Sequence, residues 1–423
     1  MKTRKHIVVW MLVALMMIGM MPIEARALDD AGWPTIDEIN VASYCVVDAE
    51  TKEIILSKNM HTRRQNASTT KIMTSLVMVE DEHFDPDAML TVSPESLVFY
   101  DPNSARLEDL SPGQKIRALD CLGACMLASA NDIARVIAHN FGGTFGANDP
   151  DGKNDANESQ RRFVERMNAR AVELGATDTH FTNPAGFDEP DRSHYTTAHD
   201  LAMMSAAAIQ NPWIAHVCQQ SRYVMHPTED HPTAWWAAMS TSNALVIYGA
   251  DALRSEYFVQ YTGMKTGTTP QAGRCLVGSG ITTDGRHLVC AAMGISNVNA
   301  SARNQWLARA VPVRTLLEEA ARKIGSPKRV PPEVLAIDYR APEPVEPTRP
   351  VGTAVATEPY APEVTEDLPG GSDHGGKVVV DHSVPPVFIW LSGLGLLAII
   401  ILLVSGMTRF VRWLDRKRAS RKR

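Results

Sequence analysis

The sequence predicts a mixed α/β fold of the α+β kind, an antiparallel sheet flanked by helices with a helical subdomain, plus one C-terminal transmembrane helix. Three observations carry this expectation. Alternating apolar stretches with strand character lie toward both ends of residues 28–340, and helical periodicity fills the middle. Val387–Met407 is an apolar run of 21 residues without a charge, about the length that spans a bilayer core.

In chain order, residues 1–27 read as a secretory signal. Lys2, Arg4 and Lys5 precede the apolar run Ile7–Met21, and Ala25-Arg26-Ala27 supplies small residues at a cleavage spacing. Residues 28–340 are the folded body. There, Tyr44–Asp48 and Ile54–Ser57 flank a polar turn and read as a hairpin. Asn66–Glu80 carries Ile72, Met73, Leu76, Val77 and Val79 at the spacing of a buried helix that begins near Ser68. Leu119–Phe141 is helical with a break at Ser129-Ala130-Asn131. Asn148–Asn157 is a polar loop in which Gly152 stands at the wrong offset for a calcium-binding EF-hand. Arg162–Leu174 and Ala198–Ile209 are further helices. Tyr261–Thr268, Arg274–Ile281 and His287–Ile295 read as antiparallel strands, and Asn304–Ile324 as a closing amphipathic helix.

Residues 341–386, rich in Pro and Glu, have too few large apolar side chains to fold and read as a tether. Residues 387–407 are the span, and residues 408–423 a tail with eight Lys or Arg against Asp415. Positive charge stays cytoplasmic, so the expectation is a single-pass cell-membrane protein with its catalytic domain extracytoplasmic. The basic ends leave −16 of the net −6 on the rest of the chain. A body that acidic repels a phosphate backbone, which argues against nucleic acid as a partner. Six cysteines permit disulfides but match no small disulfide scaffold; Cys275 and Cys290, on neighbouring strands, are either bridged or free. His226 and His231 lie in a Pro-bearing loop without a ligand set, so no metal or cofactor is expected.

Ser68-Thr69-Thr70-Lys71 places a hydroxyl and an amine three residues apart on one helical face. A serine hydroxyl needs a neighbouring base to become a nucleophile. A lysine serves only if burial or a second cation lowers its proton affinity. Ser129-Ala130-Asn131 follows 61 residues after Ser68, and Lys265-Thr266-Gly267-Thr268 begins 136 residues after Ser129. A strand edge with Lys, hydroxyl and Gly suits a substrate lying alongside it and ending in a carboxylate. Gly267 is expected to let the substrate backbone come close.

Each triplet alone is weak; together they form the active-serine pattern of penicillin-interacting enzymes. With Met167-Asn168, Glu173-Leu174-Gly175-Ala176, Asn183-Pro184-Ala185-Gly186 and Ala272-Gly273-Arg274-Cys275-Leu276, the chain from about Ala42 to Ile324 closely resembles the serine-type D-alanyl-D-alanine carboxypeptidases. The resemblance implies a β-lactamase/transpeptidase-like fold. It implies Ser68 as nucleophile, Lys71 as base and Ser129 as proton relay, with Asn131, Lys265, Thr266, Gly267 and Thr268 binding substrate. The implied partner is a peptidoglycan stem peptide ending in D-Ala-D-Ala, with β-lactams as inhibitors that trap Ser68. Two positions depart from the pattern. Thr268 stands where many members carry His, and Ser242-Asn243-Ala244-Leu245 lacks a neighbouring basic residue that some carry. Rival functions are a D,D-endopeptidase or a β-lactamase on the same fold, or a non-catalytic wall-binding protein. A β-lactamase would require a deacylating Glu in a Glu-x-x-x-Asn setting, which residues 158–195 lack.

Overall fold

The computed structural model of the protein describes residues 33–98, 104–107, 109–143, 156–232, 238–296 and 305–330. The expected signal (1–27), most of the polar loop, the tether, the membrane span and the basic tail lie outside these residues. Among the described residues no helix is long and apolar enough to cross a membrane.

Strands β1 (Val41–Asp48) and β2 (Ile54–Lys58) form the expected N-terminal hairpin. Two small pairs follow, β3 (Met89–Thr91) with β4 (Lys115–Arg117), and β5 (Arg222–Val224) with β6 (Ala238–Ser240). Then β7 (Phe258–Thr269), β8 (Gly273–Thr282) and β9 (His287–Ile295) return to the main sheet, whose order is β2-β1-β9-β8-β7. Every neighbouring pair in it is antiparallel. Both ends of the chain thus build one sheet, with β1 beside β9 and β7 left on the edge.

Between them run helices α1 (Lys71–Val79), α2 (Ala118–Gly123), α3 (Asn131–Phe141), α4 (Ala156–Glu173), α5 (Ala198–Gln210), α6 (Pro212–Cys218) and α7 (Ala244–Ala252); α8 (Gln305–Lys323) closes the body. The short helices α6 and α7 have too few turns to show a period and were not expected. Both are set by their caps: the side chains of Asn211 and Asn243 accept the first free N–H groups, and Pro212 opens α6.

The strands are buried on both faces, so their side chains divide by alternation between two cores. Cys45, Val47, Val277, Ala291 and Met293 face α1, α3 and α5. Tyr44, Val46, Leu276, Cys290 and Ala292 face α8 and α7. Cys275 belongs to the first core and Cys290 to the second. They point to opposite sides of the sheet, so no bridge forms between them, and all six cysteines are free and buried.

Candidate active site

Three backbone anomalies mark the site. Ala67, Ser129 and Met264 all have positive φ, at 48°, 62° and 103°. Ser129 lies within the second motif, and Ala67 and Met264 directly precede the first and third. A non-glycine residue held there is strained by about 1–3 kcal/mol, and such strain persists where the surroundings impose it.

Ser68 does not begin the α-helix. It lies in a 3₁₀ turn, Ala67–Thr70, that leads into α1 at Lys71. The turn is tightened by back-bonding: the Thr69 hydroxyl donates to Asn66 O at 2.6 Å and the Thr70 hydroxyl to Ala67 O at 2.9 Å. Thr70 in turn accepts from Asn66 Nδ2 at 2.8 Å and lies 2.8 Å from His194 Nε2. His194 Nδ1 accepts the Thr182 N–H, which leaves the proton on Nε2 to donate to Thr70. Burial, with the charges of His180 and Lys71, pushes His194 down to about 3, so it acts as a neutral brace.

Lys71 is fully buried. Its Nζ donates to Ser68 Oγ at 3.2 Å, to Asn131 Oδ1 at 2.6 Å and to Ala185 O at 2.7 Å. Burial lowers its affinity for a proton to a pKa of about 8, against the opposing pull of Cys125 and Asp132. Asn131 is the first residue of α3, and its Nδ2 donates to Ser104 at 2.6 Å. Its Oδ1 holds Lys71 while its Nδ2 is anchored on Ser104.

Ser129 terminates a π-helical turn, Ala124–Ala128, that packs against α1 and β7. Two residues on, Asn131 reaches Lys71 directly. Among the described residues the Ser129 hydroxyl is not bonded to Ser68 or Lys71.

Lys265 is also fully buried and donates to Thr266 O at 2.9 Å. Its pKa falls to about 7, first through burial and then through the charge of Lys71. Two ammonium groups sharing a dry interior disfavour one another's proton. The Thr266 hydroxyl meets Ser242 at 2.6 Å, and Thr268 is exposed at the edge of β7.

Gly267 has a packing use as well. A Cβ there would lie 3.1 Å from Ala67 Cβ, Asn66 O and Ser68 N. The nucleophile turn lies against this glycine, and that contact docks β7 on Ser68. Gly186 is tighter still, with φ at 86° and a Cβ position 1.9 Å from Ala67 O. Gly186→Ala is expected to cost at least about 3 kcal/mol. Denaturant unfolding checks it, and a midpoint within error of the native chain would refute the packing role.

The arrangement joins Ser68, Lys71 and Asn131 in one hydrogen-bonded set, lays Gly267 on the same turn and couples Lys265 to Lys71 electrostatically. Ala185, Gly186, Ser104, Thr70 and His194 are the participants that residue spacing did not reveal.

The sequence profile of the D-alanyl-D-alanine carboxypeptidases matches residues 30–297. The chain belongs to this family. As a family member it is a serine hydrolase with an α+β transpeptidase-like fold. It is 28% identical over 263 residues to the D-alanyl-D-alanine carboxypeptidase DacB2 of Mycobacterium tuberculosis, covering 62% of this chain and 78% of that one. DacD of Escherichia coli is 28% identical over 268 residues, covering 62% of this chain. The chain spans 60% of that relative's length. Among solved structures, the DD-transpeptidase of Streptomyces K15 is similar with a TM-score of 0.57 at 22% identity, over 69% of this chain and 100% of that one. Penicillin-binding protein 5 of Haemophilus influenzae gives 0.53 at 23% identity, over 66% and 70%. These likenesses show the fold; the family match shows the class of enzyme.

Proposed function

We propose that this chain removes the terminal D-alanine of peptidoglycan stem peptides through an acyl-enzyme on Ser68. The single observation that carries the reading is the Lys71 amine, 3.2 Å from Ser68 Oγ and held at a pKa of about 8. An amine with that proton affinity is neutral often enough near pH 7 to take the serine proton. Ser68 Oγ attacks the carbonyl between the two D-alanines. Its proton passes to Lys71 and, through Ser129, to the leaving amine. The N–H groups of Ser68 and Thr268 face the developing oxyanion. Lys265 and Thr266 hold the substrate's terminal carboxylate, and Asn131 has a second Nδ2 hydrogen for a substrate amide. D-Alanine leaves with the relayed proton, and water then hydrolyses the ester to restore Ser68.

A penicillin acylates Ser68 in the same way. None of the three Lys71 partners is a carboxylate, which favours this reading over a β-lactamase. The test is mass spectrometry of the chain treated with a fluorescent penicillin, paired with D-alanine release from a pentapeptide and from a cross-linked dimer. An adduct on Ser68 with release from the pentapeptide supports the proposal. Release from the dimer alone makes the chain an endopeptidase; absence of both the adduct and the release overturns catalysis on Ser68.

A pH dependence arises from Lys71, which binds its proton more weakly when buried, so the competent, deprotonated base is gained as pH rises. The kcat/KM for pentapeptide is expected to climb through about pH 7–8 and then level off, measured by initial rates. A rate that falls across that window would rule out Lys71 as the base.

The arrangement in the cell belongs to the same proposal: residues 1–27 direct export, 28–340 act outside the cytoplasm, and 341–386 tether them to a span at 387–407 with the tail 408–423 inside. The support is the charge asymmetry of the two termini and the uncharged run of Val387–Met407.

A further inference from the structure

Residues 183–189 form a short strap that touches both walls of the site. The Asn183 side chain folds it: Oδ1 accepts the N–H groups of Ala185, Gly186 and Phe187 at 3.2, 2.7 and 3.0 Å. One side of the strap lies on α1 and the turn before it. Thr74 donates to Pro184 O at 2.6 Å and Lys71 to Ala185 O at 2.7 Å, and Gly186 closes on Ala67 O. The strap then runs on to the end of β7. Asp188 Oδ1 accepts the Thr269 hydroxyl at 2.6 Å, and its Oδ2 accepts the Gln271 N–H at 3.0 Å. Beside it, Glu189 O accepts from Gln271 Nε2 at 3.3 Å.

The Thr269 hydroxyl is fixed in direction. Its one hydrogen goes to a carboxylate, and its oxygen accepts the Ala272 N–H at 3.1 Å. A hydroxyl that donates to a carboxylate makes a bond about twice as strong as one between neutral groups. Such an anchor matters because β7 is the edge strand and has only β8 beside it in the sheet. Thr268 therefore sits between two held residues. On one side Gly267 packs on Ser68 N; on the other, Asp188 holds Thr269. The strap thus joins the two elements that carry the N–H groups of Ser68 and Thr268.

We propose that Asp188 is a positioning residue for the oxyanion hole, holding the Thr268 N–H at the separation from Ser68 that the tetrahedral intermediate needs. The inference rests on the function proposed above and adds to it a residue that acts through Thr269. A donor aimed at developing charge stabilises it only from the right place, and a misplacement of about 1 Å can cost about 10²-fold in rate. Acylation and deacylation both pass through an oxyanion at that place, so the effect falls on kcat. The bonds of Lys71 to Ser68, Asn131 and Ala185 do not involve Asp188, so the base is left in position.

Steady-state kinetics of the full chain on a pentapeptide ending in D-Ala-D-Ala test this with Asp188→Ala, Thr269→Val and Thr269→Ser. The first two are expected to lower kcat by about tenfold or more and to leave KM within about twofold. Serine keeps the hydroxyl, so Thr269→Ser should stay close to the native kcat. Adding Thr269→Val to Asp188→Ala should cost little more than Asp188→Ala alone, because the two share a bond. The pH at which kcat/KM rises should not move. Amide hydrogen exchange at Gln271 and Ala272 should quicken in Asp188→Ala, which reads the anchor without turnover. If Asp188→Ala folds poorly, the Thr269 pair decides alone. Native kcat in Asp188→Ala, a loss confined to KM, a shifted pH profile, or equal losses in Thr269→Val and Thr269→Ser overturns the inference and leaves the function standing. A native chain that neither labels with penicillin nor releases D-alanine sinks the function, and the inference with it.

Discussion

Ser68→Ala is expected to abolish covalent labelling by a fluorescent penicillin and to lower D-alanine release by on the order of 10⁴-fold or more. Its fold should be intact. Ser68 is half-buried, and its hydroxyl accepts one hydrogen bond, from Lys71. The substitution removes a single oxygen from a turn that Thr69 and Thr70 hold from within and Gly267 packs against from outside. Lys71 keeps its bonds to Asn131 and Ala185, so the buried amine does not move. A variant with an unchanged melting curve that still labels at the native rate would place the nucleophile elsewhere.

Lys71→Ala should slow acylation by about 10³-fold, within the range that a positioned base contributes. Here the structure also suffers. Asn131 Oδ1 and the Ala185 carbonyl lose their donor inside a dry site, at about 1–3 kcal/mol for each acceptor left unmade. Lys71→Arg separates the two effects. A guanidinium can still donate to both acceptors but cannot shed its proton near neutral pH. The arginine variant is therefore expected to recover stability and not rate, read by denaturant unfolding and by the time course of penicillin labelling. If arginine restores labelling, the role of residue 71 is electrostatic and not that of a base.

Much of this site can be read from residue types at fixed spacing. Ser68 and Lys71 meet because three residues make most of a helical turn, and alternation in Tyr261–Thr268 places the Lys265 segment on a strand. The sheet from both ends of the chain was legible for the same reason, since period-two runs flank a helical middle. What stayed hidden does not depend on side-chain identity. Ala185 contributes a carbonyl that any residue possesses. Ala67 and Met264 adopt positive φ because their neighbours force it, and no alanine or methionine advertises that. Gly267 did show that space was needed beside β7, but spacing alone cannot say what fills it. No spacing in the sequence links His194 to Thr70, against which its ring lies.

The adjacency of β1 and β9 governs when the enzyme can come into being. Val47 has Val289 as its partner across the sheet, so an emerging polypeptide holds its nucleophile long before the strand that anchors the first hairpin has been made. Lys265 arrives late as well. Closing so long a loop is entropically slow, and a half-synthesised chain carries no assembled cleft with which to attack a peptide bond. Topology thus sets the order in which the site is assembled.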